Sequence, residues 1–137
     1  MNYLLDTNAC IALINRTSAA VRNRFQKALS TRAQIYVSSV VTFELWYGVA
    51  KSERQDLNTQ RLQTFLAGPM ILLPLEEQDA RVAGSIRAAL QASGTPIGAY
   101  DTLIAGQALA RKLTLVTANV SEFSRVKGLS WQDWARL

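Results

Sequence analysis

The chain has 137 residues, 49% of them apolar, and carries 15 Lys and Arg against 10 Asp and Glu, a net charge of +5. This is the length of one domain with a core large enough to need no staples, and its single cysteine, Cys10, excludes an internal disulfide and fits a reducing, cytoplasmic setting. Histidine is absent, which excludes nucleophile–histidine triads, histidine acid–base pairs and histidine-bound zinc, and leaves carboxylates as the main polar catalytic groups.

The N-terminus lacks a basic segment followed by a long apolar run, so no signal peptide is expected, and no apolar stretch reaches membrane-spanning length. Residues 2–5 read as a short strand, followed by a short helix over 8–14. Thr17 or Ser18 can cap a more polar helix running to about Leu29, with Val21, Phe25, Ala28 and Leu29 on one face. "QIYVSS" (34–39) reads as a second strand. Ser38 or Ser39 can cap the next helix, in which Val40, Phe43, Trp46 and Tyr47 recur at helical spacing. Another helix covers 54–67 and stops at Gly68-Pro69. "MILLPL" (70–75) reads as a third strand. A long helix follows from about Glu76 to Ala92, with Val82, Ile86, Ala89 and Leu90 toward the core and Asp79 as a helix-start residue. After the loop "SGTPIG", residues 99–112 form a helix, "LTLVT" (113–117) a fourth strand, and the tail an edge strand.

Strands alternating with helices predict an α/β fold: a central, mainly parallel sheet of four to five strands flanked by helices on both faces. In such sheets chemistry gathers beyond the carboxyl ends of the strands. Asp6 stands past the first strand, and Glu44 lies in the second turn of the helix after the second. Asp101 lies in the first turn of the helix before the fourth strand, and Asn119 follows that strand. Each has an ordinary explanation as a cap, a solvated helix residue or a turn residue. Their shared placement favours a site. Clustered carboxylates repel one another unless a cation sits between them, and carboxylate oxygens suit Mg2+ or Mn2+. A basic surface that holds a polyanion and an acidic pocket that holds a metal are coherent in one protein.

"LLDTN" (4–8), "SSVVTFELWYG" (38–48), "GAYDTLIAGQAL" (98–109), and "LVTAN" with "EFSRV" (115–126) resemble PIN-domain ribonucleases, in particular the VapC toxins of bacterial toxin–antitoxin pairs. The resemblance runs from residue 3 to Trp134 and implies a single PIN domain over 1–137. It also implies Mg2+- or Mn2+-dependent endonucleolytic cleavage of RNA, structured RNA such as tRNA being the family expectation. Carried across, Asp6, Glu44 and Asp101 become the catalytic carboxylates and metal ligands, directly or through water, with Thr7 and Asn119 in support. A VapB-type antitoxin and a homodimer are the implied partners. Many PIN domains carry a fourth acid where this chain has Asn119. Glu122 could take that place if its turn faced inward, but it reads more simply as a surface acid.

Proximity to these segments makes Lys51, Arg54, Arg87, Arg125 and Lys127 candidate RNA contacts, through phosphates rather than bases. The aromatics Phe43, Trp46, Tyr47 and Phe65 suit core packing or a protein partner better than base stacking. A non-catalytic RNA- or protein-binding module on the same fold is the second reading, ranked lower because all three acids are present. A phospho-acceptor receiver domain fits poorly, since the first strand ends in one acid and the third in Pro74-Leu75.

Overall fold

The computed structural model describes residues 1–136. Its elements are β1 (Tyr3–Leu5), α1 (Thr7–Asn15), α2 (Ala19–Ser30), β2 (Ile35–Ser38), α3 (Ser39–Ala50), α4 (Gln55–Leu66), β3 (Ile71–Leu73), α5 (Glu77–Ala92), α6 (Ala99–Arg111), β4 (Thr114–Val116), α7 (Val120–Phe123) and β5 (Trp131–Gln132). The five strands form one sheet in the order β3-β2-β1-β4-β5, and every pairing is parallel. Leu5 pairs with Val37 on one side and Val116 on the other. The chain winds outward from β1 to β3, then returns through α5 and α6 to the far side of β1. With right-handed crossovers, that reversal places α5–α6 on the opposite face from α1–α4. It also opens a crevice between the carboxyl ends of β1 and β4.

Leu4, Leu5, Val37 and Leu115 are fully buried at the centre of the sheet, so these strands read as continuous apolar runs rather than alternating ones. The tail closes the β5 edge: Trp134 is buried and meets Tyr3 edge to face, with ring centroids 5.1 Å apart. The helix starts follow local chemistry. Ser18 accepts from the Val21 N–H and Ser38 from the Val40 N–H, each satisfying an orphan donor of a first turn. Glu76 is the cap of α5, one residue outside the helix. Asp79 closes the reciprocal capping box, then pairs from a fully buried position with Arg111 at 3.0 Å. That ion pair, buried on the Asp79 side and partly exposed at Arg111, ties α5 to α6. Their backbones approach closely at Gly106, where an added Cβ would stand 2.6 Å from Cβ of Ala83.

Two expectations about helix faces are corrected. On α5 the buried positions are Asp79, Ala83, Ile86 and Leu90, while Ala89 is exposed. On α3 the buried residues are Val40, Val41 and Leu45. Phe43, Trp46 and Tyr47 face outward at 53%, 39% and 60% exposure, so these three do not serve core packing. The helix is apolar nearly all round, and periodicity alone cannot choose its buried side. β3 stops before Pro74, where the buried Gln107 amide donates to the carbonyls of Leu73 and Pro74. Among the described residues no helix is long and apolar enough to cross a membrane.

Candidate active site

The sequence leaves β1 at Leu5 and turns into α1 at Thr7, and Asp6 between them is buried. Its Oδ1 accepts the Ala9 N–H at 2.8 Å, so Asp6 is a helix cap as well as the wall of a crevice. Thr7, one residue on, donates its hydroxyl to Oε1 of Glu44 at 2.8 Å. That bond joins the first turn of α1 to the second turn of α3 and fixes the reach of Glu44. Asp101 enters from the first turn of α6, which begins after Gly98. Asn119 sits past β4, its N–H held by the Thr117 hydroxyl at 2.9 Å.

Glu122 corrects the expectation of a surface acid. α7 turns it inward, where Oε1 accepts the Gly98 N–H at 3.0 Å and Oε2 accepts from Nδ2 of Asn119 at 3.2 Å. The same Nδ2 lies 3.4 Å from Oδ2 of Asp101. Asn119 therefore bridges two carboxylates, and Glu122 stands beside position 119 as a fourth acid of the cluster.

The electrostatics follow from this crowding. Burial, together with the charge and hydrogen bonding of Glu122 and the charges of Glu44 and Asp6, pushes the Asp101 carboxyl up from 3.8 to about 7. Burial also raises Asp6, helped by the charges of Glu44 and Asp133 and opposed by hydrogen bonds from Thr117 and Ala9. Glu122 moves the other way, held down first by the Gly98 N–H and then by Asn119, Asp101 and the Arg125 guanidinium. Thr117 and Glu122, both within the segments that carry the family resemblance, thus lie against the carboxylates, while Asp133 accepts the Ala135 N–H at 3.0 Å and pairs with Arg136 at 3.6 Å.

The donor set is all oxygen, which suits a hard divalent cation. Asp6 and Asp101, both held above their ordinary range, lack the positive charge that would keep them ionised, and a cation would provide it. Among the described residues no three Asp, Glu or Cys side chains enclose an ion by themselves. A cation here would take part of its shell from water, as Mg2+ commonly does. Asp6, Glu44, Asp101 and Glu122 are the residues that would hold it.

Of the five cations expected to meet RNA, only Arg125 is tied to the carboxylates: it donates to the Pro96 carbonyl at 3.0 Å and its charge acts on Glu122. Lys51 lies at the end of α3, its Nζ 4.8 Å from the Tyr47 ring centroid. Arg54 stands before α4, Arg87 lines a groove between α5 and α6, and Lys127 is exposed. Beside Glu44 a groove of about 220 Å³ runs between α1, α3 and α4, lined by Ile11, Ile14, Leu45 and Leu62 with Arg61 on its wall.

The sheet gathers its carboxylates at the switch point, and residues 3–129 match the PIN domain family. The chain belongs to the PIN-domain family and, within it, to the VapC ribonucleases. It is 38% identical over 135 residues to the tRNA(fMet)-specific endonuclease VapC of Shigella flexneri, covering 98% of this chain and 99% of that one. It is 36% identical to ribonuclease VapC2 of Rickettsia felis, over 98% of both chains. Among solved structures, VapBC2 from Rickettsia felis bound to a DNA fragment from their promoter superposes with a TM-score of 0.91, at 34% identity, over 98% of this chain and 99% of that one.

Proposed function

We propose that this chain is a divalent-metal-dependent endoribonuclease toxin that hydrolyses phosphodiester bonds in structured RNA, with tRNA as the substrate class, and that a VapB-type antitoxin silences it. The observation that carries the reading is the convergence of Asp6, Glu44, Asp101 and Glu122 at the β1–β4 crevice. A cation bound there, Mg2+ or Mn2+, would supply the Lewis-acid charge and acidified water that phosphodiester hydrolysis needs. The chain's own residues do the rest. Asp6 and Glu44 hold fixed positions because Ala9 N–H and the Thr7 hydroxyl hold their oxygens. Asp101, raised in the metal-free protein, would be held ionised by that cation and serve as a ligand from the first turn of α6. Asn119 donates its Nδ2 toward both Asp101 and Glu122 without adding charge. The tRNA named for the Shigella flexneri relative supports the substrate class, and the VapBC assemblies of other relatives support the antitoxin. The outward aromatics of α3 support contact with a protein, an antitoxin or a second copy in a homodimer.

The test is cleavage of total bacterial RNA by the purified, antitoxin-free protein in Mg2+ or Mn2+, in EDTA, and beside Asp6→Asn. Asparagine keeps the α1 cap, so the variant should fold. Discrete fragments that require both metal and Asp6 are expected. Folded protein that binds RNA but cuts none would establish the binding module instead.

A further inference from the structure

The charge of this chain is segregated. Residues 7–43 contain five cations, Arg16, Arg22, Arg24, Lys27 and Arg32, and no acid, while the rest of the chain carries ten of each sign. The whole net charge of +5 therefore belongs to α2 and its two flanks. Among the described residues none of the five forms a salt bridge. Arg16 and Arg32 also occupy left-handed backbone, φ 54° and 62°, where glycine or asparagine would cost less.

Arg24, Lys27 and Thr31 fall on one flank of α2 and line a groove whose wall is Tyr3 and Trp134. Arg24 is held in place: its guanidinium donates to Oε1 of Gln132 at 3.2 Å and lies 5.9 Å from the Trp134 ring centroid. The Gln132 carbonyl accepts the Thr117 N–H at 2.9 Å, which ties the strand that holds Arg24 to the carboxyl end of β4, beside the crevice. Trp134 is buried, and the groove offers charge rather than an exposed apolar anchor of the kind protein partners use. That chemistry fits a phosphate backbone.

We propose that the Arg24–Lys27 groove seats backbone phosphates of the structured RNA whose scissile bond lies in the crevice. The proposal rests on the ribonuclease reading for its substrate and moves the RNA track from the five cations expected by sequence proximity to α2. Binding there is sequence-independent and salt-sensitive, each phosphate contact adding about 0.7–0.9 to the slope of log affinity against log salt.

The experiment is binding of unfractionated bacterial tRNA in EDTA, across a series of KCl concentrations. It compares wild type, Arg24→Gln/Lys27→Gln, the charge-keeping Arg24→Lys/Lys27→Arg, and Lys51→Gln/Arg54→Gln, with thermal melting to confirm each fold. The α2 glutamine pair should lower the slope by about 1.5 and weaken binding at least about tenfold near 0.1 M salt. The charge-keeping pair should retain wild-type slope, and the Lys51/Arg54 pair should change little. An unchanged slope in the α2 pair, or equal losses in both glutamine pairs, overturns the proposal. RNA cleavage by wild type in Mg2+, run in parallel, separates the two failures: cutting with an unchanged slope sinks the groove alone, and a lowered slope without cutting sinks the enzyme alone.

Discussion

The hydroxyl of Thr7 donates a 2.8 Å hydrogen bond to Oε1 of Glu44 across 37 residues of sequence. One carboxylate of the site is thereby aimed by the residue that follows another. Thr7→Val removes the donor at constant shape and leaves Glu44 free to swing, while Thr7→Ser keeps it. Groups that orient a metal-binding carboxylate typically contribute 10- to 100-fold. Thr7→Val should lower kcat by about tenfold with little change in melting temperature, and Thr7→Ser should restore most of it. A valine variant as active as wild type would show that Glu44 needs no support from α1.

The raised carboxyls make the metal-free protein sensitive to pH. Asp101 moves from 3.8 to about 7, so between those values the folded state binds more protons than the unfolded one. Stability is therefore greatest at the acid side of that window and falls as pH rises toward 7, where Asp101 ionises among other acids. Asp6 is shifted in the same direction. Glu122 is lowered from 4.5 and acts the opposite way, but only below that value. In EDTA the melting temperature should drop from pH 5 to pH 8, and Asp101→Asn should flatten the drop. Mg2+ should stabilise more at pH 8 than at pH 5.5, because protons compete for the same oxygens. A flat profile for wild type would show that the carboxylates do not crowd one another.

Much of this was readable before any coordinates. Alternating elements give the parallel sheet, and a parallel sheet says where to look. Asp6, Glu44 and Asp101 could be placed because each sits at a fixed offset from an element end. Glu122 could not, since its direction depends on a four-residue helix and on the Gly98 N–H, which is 24 residues away in sequence. The outward face of α3 was hidden for a different reason. A helix with aromatic residues on several sides gives no sequence sign of which side the sheet will cover. Nearness along the chain points to Lys51, Arg54, Arg87, Arg125 and Lys127 as RNA contacts, but α2 meets β5 across 108 residues, at the Arg24–Gln132 bond.

Asn119 donates its Nδ2 to Oε2 of Glu122 at 3.2 Å. Asn119→Asp would put a third negative charge between Asp101 and Glu122 and remove the Nδ2 donor that serves both. The variant should melt lower in EDTA and bind Mg2+ more tightly, on the order of tenfold. Glu122→Gln should do the reverse for metal affinity and let the Asp101 pKa fall toward its ordinary value, readable as a shift of the pH–rate profile to lower pH. If Asn119→Asp left metal affinity unchanged, residue 119 would lie outside the ion's surroundings.

Gly106 tests whether the site depends on helix packing remote from it. It sits one residue before Gln107 on α6, five residues after Asp101, and faces Ala83 on α5. A methyl group there would meet Cβ of Ala83 at 2.6 Å and the Ala83 backbone at 2.7 Å. Backbone cannot yield as a flexible side chain can, so α5 and α6 must separate. Overpacking of this kind costs about 1–3 kcal/mol. The separation also strains the Asp79–Arg111 pair and shifts the first turn of α6, which carries Asp101. Gly106→Ala should therefore lower the melting temperature and reduce kcat together, whereas Gly84→Ala, whose Cβ meets nothing within 4 Å, should raise the melting temperature slightly through helix propensity and leave kcat unchanged. A Gly106→Ala protein less stable but fully active would show that Asp101 is positioned by Gly98 and Asn119 alone, independently of how α6 rests on α5.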